Sequence, residues 1–147
     1  MKQEKTIGFF FEVDFKFLNK RKITKWIKES LHLLSIASFE INYIFCDDVY
    51  LLKINQKYLN HDTYTDIITF DYSEEKEDKL QADAYISLSR IKENARKFTK
   101  ENNEQEELKR VMIHAVLHLV GYKDKTIEEK KTMRAKEDFF IHLYDNL

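Results

Sequence analysis

The segment VMIHAVLHLVGYKD, Val111 to Asp124, sets two imidazoles in an otherwise apolar run that stops at a glycine. On a helix, residues four apart lie about 40° apart around the axis and roughly 6 Å along it, so His114 and His118 share one face. No other side chain between Val111 and Val120 is polar, and a helix apolar almost all round is a buried one. Leaving a buried imidazole unpaired costs on the order of 1–3 kcal/mol. One metal ion would satisfy both rings, and neutral imidazole is a good ligand for zinc, nickel and related ions.

Such a pair also occurs on core helices, where backbone carbonyls or nearby acids satisfy the rings. Gly121 and Asp124 tip the balance toward a metal. Glycine adopts the left-handed backbone that ends a helix and turns the chain back. Asp124 follows three residues later, with a carboxylate that could reach the same ion. The pattern H-x-x-x-H-x-x-G-x-x-D thus offers two nitrogens and one oxygen and leaves a fourth position open, as catalytic zinc sites do. Zinc peptidases with this spacing carry H-E-x-x-H, whose glutamate is the general base. Here that place is Ala115, which neither takes nor gives a proton. Peptidase chemistry is disfavoured, and the proton of an attacking water must go elsewhere.

The elements that would position these groups follow from periodicity. TIGFFFEVDF alternates Phe9, Phe11, Val13 and Phe15 on one face and reads as a strand. Lys20 to Leu34 carries Ile23, Trp26, Ile27, Leu31 and Leu34 at helical spacing. FEINYIFC is a second strand, and Asp47 caps a helix with the stripe Tyr50, Leu51, Ile54 and Tyr58. After the loop NHDTYTD come the strand IITFDY, the charged loop SEEKEDKL, the strand ADAYISL and the helix SRIKENARKF. Asn103 with Glu106 opens the histidine helix, and Thr126 with Glu129 opens the last one, each resembling a capping box. The reading is a mixed α+β fold, with a small mixed sheet of about four strands packed with helices.

Bulk properties bound the rest. A chain of 147 residues, 43% hydrophobic, is long enough for one well-filled core, so residues 1–147 are read as a single domain. With 25 basic against 26 acidic residues the net charge of −1 gives no general pull toward nucleic acid or lipid, and local patches must supply any attraction. The single cysteine, Cys46, suits a reducing compartment. The N-terminal apolar run is broken by Glu12 and Asp14, and no stretch approaches transmembrane length. The expectation is a soluble cytoplasmic protein with no membrane partner.

Three blocks together resemble the YbeY family of bacterial ribosomal-RNA maturation factors, described as metal-dependent endoribonucleases. HAVLHLVGYKD is similar to that family's H-G-x-L-H-L-x-G-Y-D-H through His114, Leu117, His118, Leu119, Gly121 and Tyr122. LKINQKYLNHDTYTDIITFDY resembles a second family segment through Asn55, Tyr58, Asp62, Thr65, Asp66 and Phe70. ADAYIS resembles a third through Asp83, Ile86 and Ser87. The resemblance implies a zincin-like domain with the metal on the central helix and following turn. It implies His114, His118 and Asp124 as ligands of Zn2+ or another divalent transition metal, with His114 and His118 catalytic through that ion. It implies hydrolysis of single-stranded RNA, with ribosomal RNA, the small ribosomal subunit and its assembly factors as partners. Asp66 and His61 are the candidates for lining the cleft, with a turn residue and a surface histidine as the plainer readings.

Departures from the family pattern matter too. Lys123 and Asp124 stand at the D-H positions, so the third ligand is a carboxylate. Tyr64 replaces a proline. Leu59 stands where the family places an arginine, and a leucine cannot neutralise a phosphoryl oxygen; His61, two residues on, could supply part of that charge. For RNA contact, Arg96 and Lys100 share a helix face that Lys92 extends, although Glu93 and Glu101 dilute it and a solvated face is the plainer reading. A second basic cluster, Lys20, Arg21, Lys22 and Lys25, opens the first helix. The rival functions are a ribosome-assembly or quality-control binding factor with a mainly structural metal, and a zinc hydrolase of another substrate class.

Overall fold

A computed structural model describes residues 3–15, 19–61, 65–74, 78–98 and 103–147. The alternation Phe39, Ile41, Tyr43, Phe45 forms β2 (Phe39–Cys46), a central strand with both neighbours parallel to it. β1 (Lys5–Phe11) lies on one side and β4 (Leu80–Ser87) on the other. β3 (Ile67–Asp71) pairs antiparallel with β4, giving the order β1-β2-β4-β3. Five helices complete the α+β fold: α1 (Lys20–Leu33), α2 (Asp48–Leu59), α3 (Leu88–Phe98), α4 (Glu104–Leu119) and α5 (Ile127–Asp145).

The two sheet faces are covered unequally. On one face Ile41, Tyr43, Phe45, Ala84 and Ile86 meet Trp26, Ile27 and Leu31 of α1, Met112, Ile113 and Leu117 of α4, and Phe140 of α5. Met112, Ile113 and Leu117 are fully buried, and each contributes about 1.5–3 kcal/mol by leaving water. The other face holds a small cluster of Cys46, Leu51 and Ile68 under α2. Two buried hydrogen bonds tie the layers together. Trp26 Nε1 donates to the carbonyl of Phe140 at 2.6 Å, and the Tyr43 hydroxyl donates to that of Met112 at 3.0 Å. The second bond fixes α4 on the sheet two residues before His114.

Two strand boundaries differ from those periodicity predicts. β1 ends at Phe11 rather than near Phe15, because β2 ends at Cys46 and offers no further backbone partner; Glu12 N makes a last bond to Phe45 O. Phe15 still packs on Phe45, ring centroids 6.1 Å apart, so the aromatic pattern reports burial and not a strand. β4 begins two residues before Ala82, since Leu80 and Gln81 pair with Phe39 and Glu40. Both helix starts are as read: Asn103 Oδ1 accepts from Glu106 N, and Thr126 with Glu129 forms a full capping box. Among the described residues, no helix is long and apolar enough to cross a membrane.

Candidate metal centre

α4 turns Met112, Ile113, Ala115, Val116 and Leu117 into the core, which leaves His114 and His118 on the flank facing β3. Their side chains are half-buried, and the rings meet edge to face with centroids 4.5 Å apart. The helix then ends as a Schellman turn: Gly121 N donates to His118 O and Tyr122 N to Leu117 O, each at 3.0 Å. Gly121 has φ of +110°, open to glycine and strained for other residues. This turn swings Asp124 back over the histidines.

The Oδ2 atom of Asp124 sits 3.4 Å from Nε2 of His114 and 3.4 Å from Nε2 of His118. Those distances exceed the roughly 2.7–2.9 Å of a charge-assisted hydrogen bond. They match the donor–donor edge of about 3.4 Å in a tetrahedron with metal–ligand distances near 2.1 Å. All three ligand atoms lie within 4.8 Å of one another. The residues therefore fit one small divalent ion, with two nitrogens and an oxygen on one side and the cleft on the other.

A second layer holds the first. Nδ1 of His114 is 2.7 Å from Oε2 of Glu137 on α5, and Glu137 is 5% exposed. Arg110 Nη1 donates to the other oxygen of Glu137 at 2.9 Å, and its Nη2 donates to Asp138 at 2.7 Å. With Nδ1–H given to the carboxylate, the lone pair of Nε2 points at the ligand position. Burial disfavours the His114 cation, but Glu137, Asp124 and Asp66 outweigh it, and the His114 pKa is raised. Sequence reading missed Glu137 and Arg110. Arg110 lies four residues before His114 on the same helix face, a usable signal; Glu137 comes from another helix, and only packing reveals it.

The site opens into a cleft of about 530 Å³ between α4 and β3, the sheet's antiparallel edge. Among the described residues its walls include Thr65, Asp66, Thr69 and Asp71 opposite His114 and His118. Burial pushes the Asp66 carboxyl above the ordinary carboxylate range, against the pull of His114 and Arg90. The described lining holds three carboxylates, Asp66, Asp71 and Asp124, and no lysine or arginine.

A family model described as Endoribonuclease YbeY matches residues 11–145. The chain is 49% identical over 138 residues to the endoribonuclease YbeY of Flavobacterium psychrophilum, covering 94% of this chain and 96% of that protein. It is 45% identical over 142 residues to the one from Cytophaga hutchinsonii, covering 96% and 97%. This chain belongs to the YbeY family. A solution structure of TM1509 from Thermotoga maritima superposes with a TM-score of 0.62 at 26% identity, over 95% of this chain and 89% of that one.

Asp66 lines the cleft, whereas His61 is exposed, with its backbone N bonded to Asn55 O, and is not among the described lining residues. Leu59 ends α2 and is 42% exposed, also away from that lining. Asp83 is not among the described lining residues of the cleft. It lies mid-β4 on the opposite sheet face and accepts from Asn42 Nδ2 at 3.2 Å. Lys92 and Arg96 are exposed on α3, outside the cleft, and Lys97 there lies 4.0 Å from Glu93. Asp62, Tyr64 and Lys100 lie outside the described residues.

Proposed function

We propose that this chain is an endoribonuclease that hydrolyses single-stranded RNA at a divalent ion held by His114, His118 and Asp124. The observation that carries this reading is the spacing of those three donors on the wall of an open cleft. Membership in the YbeY family supplies the substrate class. The nitrogen-rich donor set with one carboxylate suits zinc. When bound, the ion supplies Lewis-acid polarisation of a phosphoryl oxygen and lowers the pKa of water.

The chain's own groups do the rest. Glu137 fixes the His114 ring with Nε2 toward the cleft, and the Schellman turn holds Asp124 over both rings. Ala115 supplies no base. Of the two carboxylates on the opposite wall, Asp66 and Asp71, we assign the proton of an attacking water to Asp66, whose carboxyl pKa is raised by burial and which feels the charge of His114. The cleft lining is anionic without the ion, so an RNA phosphate enters only once that charge is offset. In the cell this activity serves ribosomal-RNA maturation, in the cytoplasm, with the small ribosomal subunit and its assembly factors as partners.

The test is an assay of wild type and His114→Ala on single-stranded RNA, with metal content measured on both. Wild type is expected to cleave and to carry one ion per chain, and the variant to lose both. One observation favours a second reading: the described lining of the cleft holds no lysine or arginine to neutralise a phosphoryl oxygen. Bound metal without cleavage dependent on His114 would establish that reading, an assembly or quality-control factor with a structural metal.

A further inference from the structure

A concave surface of about 900 Å³ lies between α1 and the outer edge of β1. Among the described residues its walls carry five cations, Lys5, Lys20, Arg21, Lys25 and Lys28, against the one carboxylate of Glu29. Among the described residues the lining has no aliphatic side chain and no ring but that of His32. Ion pairs among the described residues engage Lys79, Arg90, Lys97, Lys109 and Arg110, and none of these five. A chain of net charge −1 therefore concentrates unneutralised positive charge here, while its cleft lining is anionic. Positions 20 to 32 of α1 run about 18 Å at the helical rise, long enough for several successive phosphates.

We propose that this groove is a second RNA contact surface, which holds the sugar–phosphate backbone of a long RNA whose single-stranded part enters the cleft. The proposal rests on the endoribonuclease reading for its choice of polyanion. The described lining of the cleft holds no lysine or arginine to attract a nucleic-acid backbone, so we place that pull elsewhere. A lipid surface would need an exposed apolar face beside the charges. The apolar face of α1, Ile23, Trp26, Ile27 and Leu31, is instead spent in the core, and the exposed rings of β1, Phe10 and Phe11, are not among the groove's described lining. β1 and β3 are opposite edges of the sheet, three strand spacings or about 14 Å apart, so only an RNA that extends beyond the cleft touches both.

The test uses the zinc-loaded full chain and the variant Arg21→Gln/Lys25→Gln/Lys28→Gln, on a hexanucleotide and on an RNA of roughly 100 nucleotides. Cleavage of the hexanucleotide is expected to be unchanged. For the long RNA, Kd and KM are expected to rise about 10-fold or more at 0.1 M salt with kcat unchanged, and the slope of log Kd against log salt to fall by about 2. Glu29→Gln is expected to do the reverse and tighten long-RNA binding, which keeps the proposal testable if the triple variant does not fold. Unchanged affinity and salt slope in both variants would overturn the groove and leave the cleft reading intact. Should wild type cleave neither RNA while Kd still responds to the groove variants, the endoribonuclease reading fails and the groove stands. If the variants lower binding to anionic vesicles but not to RNA, the proposal is overturned.

Discussion

Glu137 holds the His114 ring, and the proposed metal affinity is expected to depend on it. The Glu137→Gln protein keeps the shape and one acceptor oxygen but loses the charge facing Nδ1 of His114 and Arg110. Zinc Kd is expected to rise 10- to 100-fold in a titration, as is typical when a ligand histidine loses its carboxylate partner; an unchanged Kd would contradict the role. The same pair sets a pH dependence. The pKa of His114 is raised above the ordinary 6.5, so a proton competes with the ion at pH values above 6.5. Zinc affinity is expected to fall as pH falls through that raised pKa. The metal-free protein behaves in the opposite sense: stabilisation from the protonated His114–Glu137 pair is fully present below pH 6.5 and is lost as pH rises through the raised pKa. A zinc affinity that holds constant down to pH 6.5 would contradict this. The candidate ligands His114, His118 and Asp124 are legible in sequence because one helix and its closing turn carry all three. Glu137 is not, because the helix that carries it reaches the site through packing alone.

At the scale of elements, the turn after α4 converts a histidine pair into a three-donor set. A Cβ at Gly121 would meet nothing within 4 Å, so Gly121→Ala costs only what its backbone angle costs. That is about 1–3 kcal/mol for a residue held at positive φ. Denaturant unfolding of the metal-free protein is expected to show this loss, and zinc Kd to rise as Asp124 shifts. A destabilisation under about 0.5 kcal/mol would contradict the strain argument. Helix starts were legible because a cap is local chemistry: Thr126 and Glu129 bond each other's backbone whatever lies beyond. Strand ends were less legible. β1 stops where β2 stops, and the alternation that continues to Phe15 is satisfied by ring packing and not by a ladder.

On the scale of the whole molecule, charge is sorted between the two edges of the sheet. The β3 edge faces an anionic cleft with ion ligands, and the β1 edge faces a cationic groove. Composition alone shows only near neutrality. The sequence does show a basic cluster at the start of α1, but not that the fold brings Lys5 beside it with a single carboxylate in the groove. Asp83 shows the same limit in reverse, since its strand was legible but the face it occupies depends on register. The central claim is that one ion on His114, His118 and Asp124 is required for RNA hydrolysis. Its most direct test is to strip the protein with a chelator and follow single-turnover cleavage of single-stranded RNA while zinc is titrated back. No cleavage is expected in the stripped protein, and the rate is expected to rise to a plateau at one equivalent of zinc. Full cleavage by the stripped protein, or a rate indifferent to added zinc, would contradict it.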